Sequence, residues 1–449
     1  VEFVDAAGLA GLRVIVDLNQ ELFGEAFGGV GYPDWITDPD GEEFEPRGAQ
    51  FLTELQPALQ NAWDGLLTTP NGQLALGRVW STLAESLAGH SAVLGYQILE
   101  APYGKGRAGE TFGDTATRLE AEVYQTLFTG LTEVIRGADP GPWVLWPTSV
   151  AVTSGRAIGY DEMPPHTALF AGFTDPAQSL GLDSAPPVSG ATEAESTVPT
   201  ASNGGIDAFG AFAASVGGFG AQKGVPVIGG PWEVPDFASA DAGSYVAKAD
   251  KLFDDTTSGW IYAAWGRGGG AFPLDAAGAD KPAFAALERP YPRAIAGRPV
   301  DVRWNADTGT LSLSVEPVQA TEAAAQAATA SATEAATEIY VPAAAWTGFR
   351  LALNGRAAEF TYDEQRQTLT VPAPAAGEST QQIVVGSAAT VNELNSATAA
   401  ASTTERSVWP LRLAFGFGVA ALIALVAWIL HAQAGSRGAR ARRKAALPT

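Results

Sequence analysis

The sequence predicts an α/β fold, a TIM-type (β/α)8 barrel, followed by an all-β immunoglobulin-like sandwich and one C-terminal transmembrane helix. Three observations support this prediction. Short apolar runs alternate with helical stretches up to residue 297, apolar and polar residues alternate from Arg298 onward, and a 20-residue apolar segment lies near the C-terminus. Each part is justified below in chain order.

Six short apolar runs in residues 1–297 have the length and composition of buried strands. Between them, stretches such as 74–87 and 115–136 place apolar residues at three- and four-residue spacing, as amphipathic helices do. A repeated strand–helix order indicates a parallel sheet, and a closed barrel of this type has eight strands. The six predicted strands are Leu12–Leu18, Val93–Leu99, Trp143–Trp146, Thr167–Phe173, Val225–Gly229 and Gly259–Ala264.

Residues 298–388 carry the two-residue periodicity of half-buried strands. The first such stretch, 300–315, folds around the turn sequence that begins at Asn305, as expected for a β-hairpin. Further alternating runs lie at 338–341, 349–353, 359–362, 368–371 and 382–385. This pattern predicts a small antiparallel sandwich.

The C-terminal part predicts a membrane anchor. Residues 389–412 form an Ala- and Thr-rich stalk, and 413–432 contain a single ionisable group, His431. Twenty residues at 1.5 Å each span roughly the 30 Å hydrocarbon core of a bilayer. The basic tail 433–449 then lies in the cytoplasm by the positive-inside rule. We therefore expect a single-pass protein of the cell membrane with an extracytoplasmic body.

Composition excludes several classes of function. The net charge is −22, and all 49 acidic residues precede Leu413, so the body would repel nucleic acid. The chain has no cysteine, which excludes disulfides and thiolate metal sites. No cluster of histidine and acidic residues has metal-ligand spacing, so we expect neither a metal nor another cofactor.

Four segments carry a recognisable resemblance. They are the strand end Val14-Ile-Val-Asp-Leu-Asn-Gln-Glu-Leu-Phe23 with Phe27-Gly-Gly-Val-Gly-Tyr-Pro-Asp-Trp35, then Gly95-Tyr-Gln-Ile-Leu-Glu-Ala-Pro102, Val225-Pro-Val-Ile-Gly-Gly-Pro-Trp-Glu-Val234 and Arg289-Pro-Tyr-Pro-Arg-Ala-Ile-Ala-Gly297. In this order they resemble the endoglycosylceramidases, the glycolipid-cleaving branch of glycoside hydrolase family 5. The resemblance implies a barrel that begins here at its third strand, a C-terminal sandwich, and a glycolipid or glycan as partner.

The family's catalytic carboxylates do not carry over to this sequence. Members of the family use two glutamates, and a retaining mechanism needs their carboxyl groups about 5–5.5 Å apart. Without gaps, the acid/base position is occupied by Ala101 and the nucleophile position by Pro231. Neither side chain can donate a proton or attack a sugar.

Two nearby glutamates are the candidate replacements. Glu100 precedes Ala101, and Glu233 follows Pro231 by two residues. A one-residue shift on a strand turns a side chain to the opposite face, so Glu100 is expected to point away from the barrel mouth unless the strand end is remodelled. Both interpretations remain open: an acid/base and a nucleophile, or two ordinary loop glutamates.

The resemblance also implies a set of substrate-binding residues. The family's histidine after this first strand is replaced by Asn19 and its aspartate by Glu21, whereas other positions keep their residue type. The candidate substrate-binding residues are Asp17, Asn19, Gln20, Glu21, Trp35, Trp63, Tyr96 and Trp265.

Two functions are compatible with this sequence. One is a membrane-anchored glycosidase that hydrolyses O-glycosyl bonds of glycolipids or glycans, with catalysis impaired by the lost glutamates. The other is a catalytically dead module that binds glycans or other components of the cell envelope. An outward body requires an export signal, and the given sequence starts at Val1 without one, so we expect further residues upstream.

Overall fold

The computed structural model describes residues 1–45, 53, 55–149, 151–152, 155–173, 208–317, 336–342, 348–374, 380–387 and 391. The chain divides into two compact units, the first comprising Val1–Arg289 with Val302–Trp304 and the second beginning at Pro290. The predicted transmembrane segment 413–432 and the tail 433–449 lie outside the described residues, as does the predicted stalk 389–412 apart from Val391. Within the described ranges, no helix is both long enough and apolar enough to span a bilayer.

The first unit contains one parallel sheet of six strands. Each strand pairs with the next along the chain, in the order β1-β2-β3-β4-β5-β6. The strands are β1 Val14–Asp17, β2 Val93–Gln97, β3 Trp143–Pro147, β4 Thr167–Phe173, β5 Val227–Trp232 and β6 Gly259–Tyr262. All six carboxyl ends therefore lie at the same edge of the sheet, which is where α/β folds place ligands.

Helices connect these strands. Two of the connections contain a short π-helical segment within a longer helix, at Glu120–Tyr124 and Ala213–Gly217. The helices are α1 Glu2–Leu9, α2 Pro57–Thr68, α3 Pro70–Leu87, α4 Phe112–Leu119, α5 Gln125–Ala138, α6 Ala208–Phe212, α7 Gly218–Lys223 and α8 Ala242–Thr256, with 3₁₀ turns at Glu25–Phe27, Asp34–Ile36 and Pro282–Ala286.

The sequence specifies several of these helix starts. Pro57 and Pro70 occupy the first turns of α2 and α3, where a missing N–H costs no hydrogen bond. The Thr69 hydroxyl accepts a hydrogen bond from the Gly72 N–H at 3.1 Å and caps α3. Thr111 and Asp114 form a reciprocal capping box at the start of α4.

The core of the first unit lies between the sheet and its helices. The inner strand β4 is apolar nearly throughout, as expected for a strand covered on both faces. Aromatic rings fill the core at edge-to-face angles, with Phe128 against Trp146 and Phe173 against Phe212. The carboxyl ends of the strands are therefore held on a rigid scaffold.

The second unit consists of two antiparallel sheets, with strand orders β13-β14-β10-β7 and β12-β11-β15-β9-β8. The residues Leu311, Leu313 and Val315 of β9 point to one side and are buried, as two-residue periodicity requires. The strands are β7 Tyr291–Ala294, β8 Arg298–Asn305, β9 Thr310–Glu316, β10 Ala336–Tyr340, β11 Phe349–Leu353, β12 Arg356–Ala358, β13 Thr361–Asp363, β14 Thr368–Pro372 and β15 Gln381–Ser387.

The predicted parallel α/β sheet followed by antiparallel β-structure is confirmed. The boundaries differ where turns interrupt a pattern. The apolar run 225–229 is a strand from Val227 to Trp232, and the single strand expected at 359–362 is replaced by β12 and β13, which pair with different sheets. Phe360 lies between β12 and β13 and stacks on Phe349, so this apolar residue packs outside a strand.

Candidate functional site

The segment after β1 folds back tightly because its glycines permit it. A Cβ atom on Gly29 would lie 1.8 Å from the Glu21 carbonyl oxygen, and Gly31 has φ +134° and would approach the Gln20 side chain at 2.8 Å. Glu21 and Val30 exchange backbone hydrogen bonds across this turn at 2.7 and 3.0 Å. The glycine-rich motif therefore places Tyr32 next to the end of β1.

Gln20 ties this turn to the end of β2. Its Oε1 accepts a hydrogen bond from the Phe23 N–H at 2.7 Å, and its Nε2 donates to the Glu100 carbonyl oxygen at 3.3 Å. The Tyr32 ring is held by Phe23 and Trp63, with ring centroids 4.8 and 5.7 Å away. Gln20 thus acts on the position of Glu100 through the backbone.

Three acidic or phenolic groups meet at this point, and we call Asp17, Glu100 and Tyr32 the acid cluster. Burial, followed by the charge of Glu100, raises the pKa of Asp17 to about 8. Burial also raises the pKa of Glu100, partly offset by the backbone of Gln20. Burial raises the pKa of Tyr32, and the charges of Asp17 and Glu100 raise it further.

The acid cluster lacks a cationic partner among the described residues. Asp17 Oδ1, Glu100 Oε2 and the Tyr32 hydroxyl are buried atoms without a hydrogen bond in the described structure. No lysine or arginine within the described ranges contributes to the raised pKa of any of the three groups. Buried polar atoms are normally satisfied, so three orphans in one place indicate a ligand site.

The orientation of Glu100 differs from the sequence expectation. Strand β2 ends at Gln97, so Glu100 lies three residues beyond it and the alternation of a strand no longer decides its direction. Ala101 follows with φ +40°, outside the extended region. The strand end is therefore remodelled, and the Glu100 carboxyl lies close enough to Asp17 to raise its pKa.

The second candidate glutamate lies at the other side of the sheet. Glu233 directly follows β5, is exposed to solvent, and has a carboxyl pKa that partial burial raises. Its charge contributes to the pKa of Tyr262, which burial raises to about 12. The Tyr262 hydroxyl accepts from the Val234 N–H at 3.1 Å and donates to the Ala271 carbonyl oxygen at 2.6 Å.

Glu100 and Glu233 show no mutual effect on their pKa values. Glu100 follows β2 and Glu233 follows β5, and β3 and β4 lie between these two strands in the sheet. Burial is the cause of the raised pKa of Glu233, without a contribution from Glu100. Two carboxyl groups at the 5–5.5 Å separation of a retaining glycosidase would act strongly on each other.

The remaining predicted site residues fall into two groups. Trp63 and Tyr96 lie in the core, and the Tyr96 hydroxyl donates to Asp139 Oδ2 at 2.7 Å, so neither offers a surface to a sugar in this conformation. Trp35 and Trp265 are 79% and 70% exposed, and Trp265 packs edge-to-face against Phe284 with ring centroids 5.6 Å apart. Asn19 and Glu21 are also exposed.

Sequence reasoning missed Tyr32 as a site residue. Its position inside the Phe-Gly-Gly-Val-Gly-Tyr motif was a usable signal, because closely spaced glycines bring a following side chain near another backbone segment. No group of three or more histidine and acidic side chains in the described ranges could hold a metal ion.

Comparison with known proteins gives this geometry a context. Residues 289–385 match the glycoside hydrolase family 5 C-terminal domain. Endoglycoceramidase I of Rhodococcus hoagii (strain 103S) is 27% identical over 339 residues, which cover 71% of this chain. The chain spans 62% of the length of that relative.

Solved structures show the same fold. Endo-glycoceramidase II from a Rhodococcus species superposes with a TM-score of 0.67 at 24% identity, covering 86% of this chain and 82% of its own. Sterylglucosidase 1 of Cryptococcus neoformans superposes with a TM-score of 0.56 at 11% identity, with the same coverage. The resemblance of this chain to the endoglycosylceramidase branch of glycoside hydrolase family 5 is therefore confirmed.

Proposed function

We propose that the protein binds a glycolipid or a related glycan at the carboxyl ends of its parallel strands and hydrolyses its O-glycosyl bond weakly or not at all. A neighbouring structure, Endo-glycoceramidase II, is known in complex with a ganglioside, which supports a glycolipid as the ligand class. In this chain, the exposed side chains of Trp35 and Trp265 offer aromatic surface on which sugars can stack.

The observation that carries the impaired hydrolysis is the replacement of both family glutamates. Ala101 and Pro231 stand where the resemblance places the catalytic carboxylates, and neither side chain performs acid, base or nucleophilic chemistry. Glu100 interacts with Asp17 instead of Glu233. Losing one of two cooperating carboxylates removes orders of magnitude in rate, because both steps of the reaction need the pair.

A second candidate function is an active glycosidase that uses Glu100 as acid and Glu233 as nucleophile. The raised pKa of Glu100 favours it, because a general acid must hold its proton near neutral pH. This reaction requires the two carboxyl groups to approach each other when the substrate binds.

The proposal further includes a membrane anchor at 413–432, with the body extracytoplasmic and the tail in the cytoplasm. Its support is the sequence pattern of 20 apolar residues followed by a basic tail. It also includes a (β/α)8-type barrel of which the first unit supplies six strands, and an immunoglobulin-like arrangement of the second unit, supported by the superposition on Endo-glycoceramidase II.

One experiment separates binding from hydrolysis. The full chain is incubated with a fluorogenic β-glycoside and with a glycosylceramide, and both turnover and equilibrium binding are measured. We expect binding with little or no turnover. Turnover that disappears in both Glu100→Gln and Glu233→Gln would instead establish the active glycosidase, and the absence of binding to every glycan would contradict the proposed function.

A further inference from the structure

The acid cluster needs a compensating group that the described part of the chain does not supply. Two carboxyl groups and a phenol lie in a desolvated place, and each has one oxygen atom without a hydrogen-bond donor. A buried carboxylate without a partner is strongly unfavourable, so such a group either holds a proton or binds a cation. The free site can hold a proton, and the ligand-bound site can hold a cation.

We propose that the acid cluster recognises a protonated primary amine on the bound glycan or glycolipid. An ammonium group has three N–H donors and a positive charge. The three orphan oxygen atoms, Asp17 Oδ1, Glu100 Oε2 and the Tyr32 hydroxyl oxygen, supply three acceptors, two of them on carboxyl groups. This inference rests on the proposed glycan binding and adds the charge of the substrate to it.

A divalent metal ion fits the same atoms less well. Calcium takes six to eight oxygen ligands and magnesium six. The acid cluster contains two carboxyl groups, and no larger group of metal-binding side chains occurs in the described ranges. An ammonium group needs only three acceptors, so the acid cluster matches it in number and in charge.

The neighbouring residues explain why the charge is selected at this place. Gln20 donates a hydrogen bond to the Glu100 carbonyl oxygen, and the Tyr32 ring packs against Phe23 and Trp63. These contacts restrict movement of the acid cluster toward solvent. In the free protein near neutral pH, the high pKa of Asp17 means that its carboxyl holds a proton. When an ammonium group binds, its charge favours the carboxylate, and that proton leaves to the solvent.

Calorimetry of the full chain in detergent tests the proposal with matched ligands. The first set is a β-1,4-linked glucosamine tetramer, its N-acetylated form and cellotetraose, which differ in the amine. The second set is glucosylsphingosine and glucosylceramide, which differ in the amine of the lipid portion. We expect the amine-bearing member of one set to bind at least about tenfold more tightly than its neutral match, and the set that shows it identifies the source of the amine.

Variants assign the preference to the acid cluster. Asp17→Asn and Glu100→Gln keep the shape of the side chains and remove the charge, so they should abolish the preference for the amine-bearing ligand over its neutral match. Glu133→Gln, an exposed glutamate on α5, is the matched control and should retain it. A preference that persists in both charge-removing variants would overturn the proposal.

Proton release gives a readout that does not depend on any variant. Binding enthalpies at about pH 5.5, where both the ligand amine and Asp17 hold a proton, in two buffers of different ionisation enthalpy report the protons released, and we expect up to one per bound amine. Equal affinity for amine and neutral ligands, with no proton release, would overturn the inference and leave the proposed glycan binding intact. No binding of any ligand would contradict both.

Discussion

Among the places where the first unit buries carboxyl groups, two do so in opposite ways. Glu120 lies in the π-helical segment after α4 and is fully buried, yet it accepts hydrogen bonds from the Ser149 N–H at 3.1 Å, the Gly159 N–H at 2.8 Å and the Arg156 guanidinium at 2.7 Å. The acid cluster has two carboxyl groups and no cationic partner among the described residues. The carboxylate of Glu120 therefore has a cationic partner and two backbone donors, although Arg156 Nε has no hydrogen bond in the described structure.

The comparison distinguishes a buried charge that stabilises the fold from one that we assign to ligand binding. Arg156 also donates to the Ser149 hydroxyl, so the Glu120–Arg156 pair joins the end of β3 to the helix that precedes it. A satisfied buried network of this kind holds two elements in a fixed relation. Buried carboxyl groups without partners destabilise the fold when no ligand is bound. A ligand that supplies the missing hydrogen bonds and charge explains why they are retained.

The largest expected effect is the loss of the partner of Glu120. Replacing Arg156 by methionine leaves a buried charge without compensation, and we expect a loss of about 3–5 kcal/mol in the free energy of unfolding. Urea denaturation of the full chain measures it. A loss below about 1 kcal/mol would mean that solvent reaches Glu120 and that the contrast between the two places is not real.

In contrast, removing a carboxylate charge from the acid cluster should stabilise the fold. The pKa of Asp17 is raised from 3.8 to about 8, so the folded state binds the proton more tightly than the unfolded state between these values. This stabilising contribution is complete below about pH 4 and is lost as the pH rises through about 8. Stability should therefore fall over this window, by an amount on the order of a few kcal/mol for this group.

Asp17→Asn removes that pH dependence. We expect its unfolding free energy to change less than that of the wild type between pH 4 and pH 8, and to exceed the wild-type value at pH 8. Urea midpoints at several pH values check this, with Glu133→Gln as the exposed control. An unchanged pH profile in Asp17→Asn would contradict the burial of an uncompensated carboxyl group.

A smaller effect is expected at Glu233. This residue is exposed and its carboxyl does not act on the acid cluster, so Glu233→Gln should change the unfolding free energy by less than about 0.5 kcal/mol and leave the pH profile of Asp17 unaltered. The same denaturation series measures it. A shift of the Asp17 profile in Glu233→Gln would show that the two carboxyl groups do interact, and would favour the active glycosidase.

A similarly small effect is expected at an exposed ion pair. Arg107 and Glu122 lie 2.6 Å apart with more than half of each side chain exposed. Arg107→Ala should cost about 1 kcal/mol or less, because solvent screens such pairs. The difference between the losses of unfolding free energy in Arg156→Met and Arg107→Ala shows how much of the loss is due to burial rather than to the ion pair itself.

The fold was largely predictable because periodicity reports burial directly. The run 167–173 is a strand with the predicted boundaries, since an inner strand of a parallel sheet is apolar throughout. The end of β5 was misplaced because Gly229, Gly230 and Pro231 suggest a turn, whereas they continue the strand to Trp232. Glycine and proline were interpreted as local signals, and pairing with the neighbouring strands overrode them.

The site was less predictable, because its geometry depends on contacts between distant segments. The motifs located Asp17 and Glu100, but the alternation of a strand does not apply to Glu100, since β2 ends three residues before it. Tyr96 and Trp63 were selected for their residue type and lie in the core. The burial of a side chain beyond a strand end cannot be inferred from alternation alone.

The central claim is that Asp17 and Glu100 form a desolvated carboxyl pair without a cationic partner among the described residues. Its most direct test is the pH titration of the Asp17 carboxyl carbon by NMR, with the signal assigned by Asp17→Asn. The structure predicts a midpoint of about 8 that falls in Glu100→Gln, because the neighbouring charge is removed. A midpoint near the ordinary 3.8, unchanged in Glu100→Gln, would contradict the account.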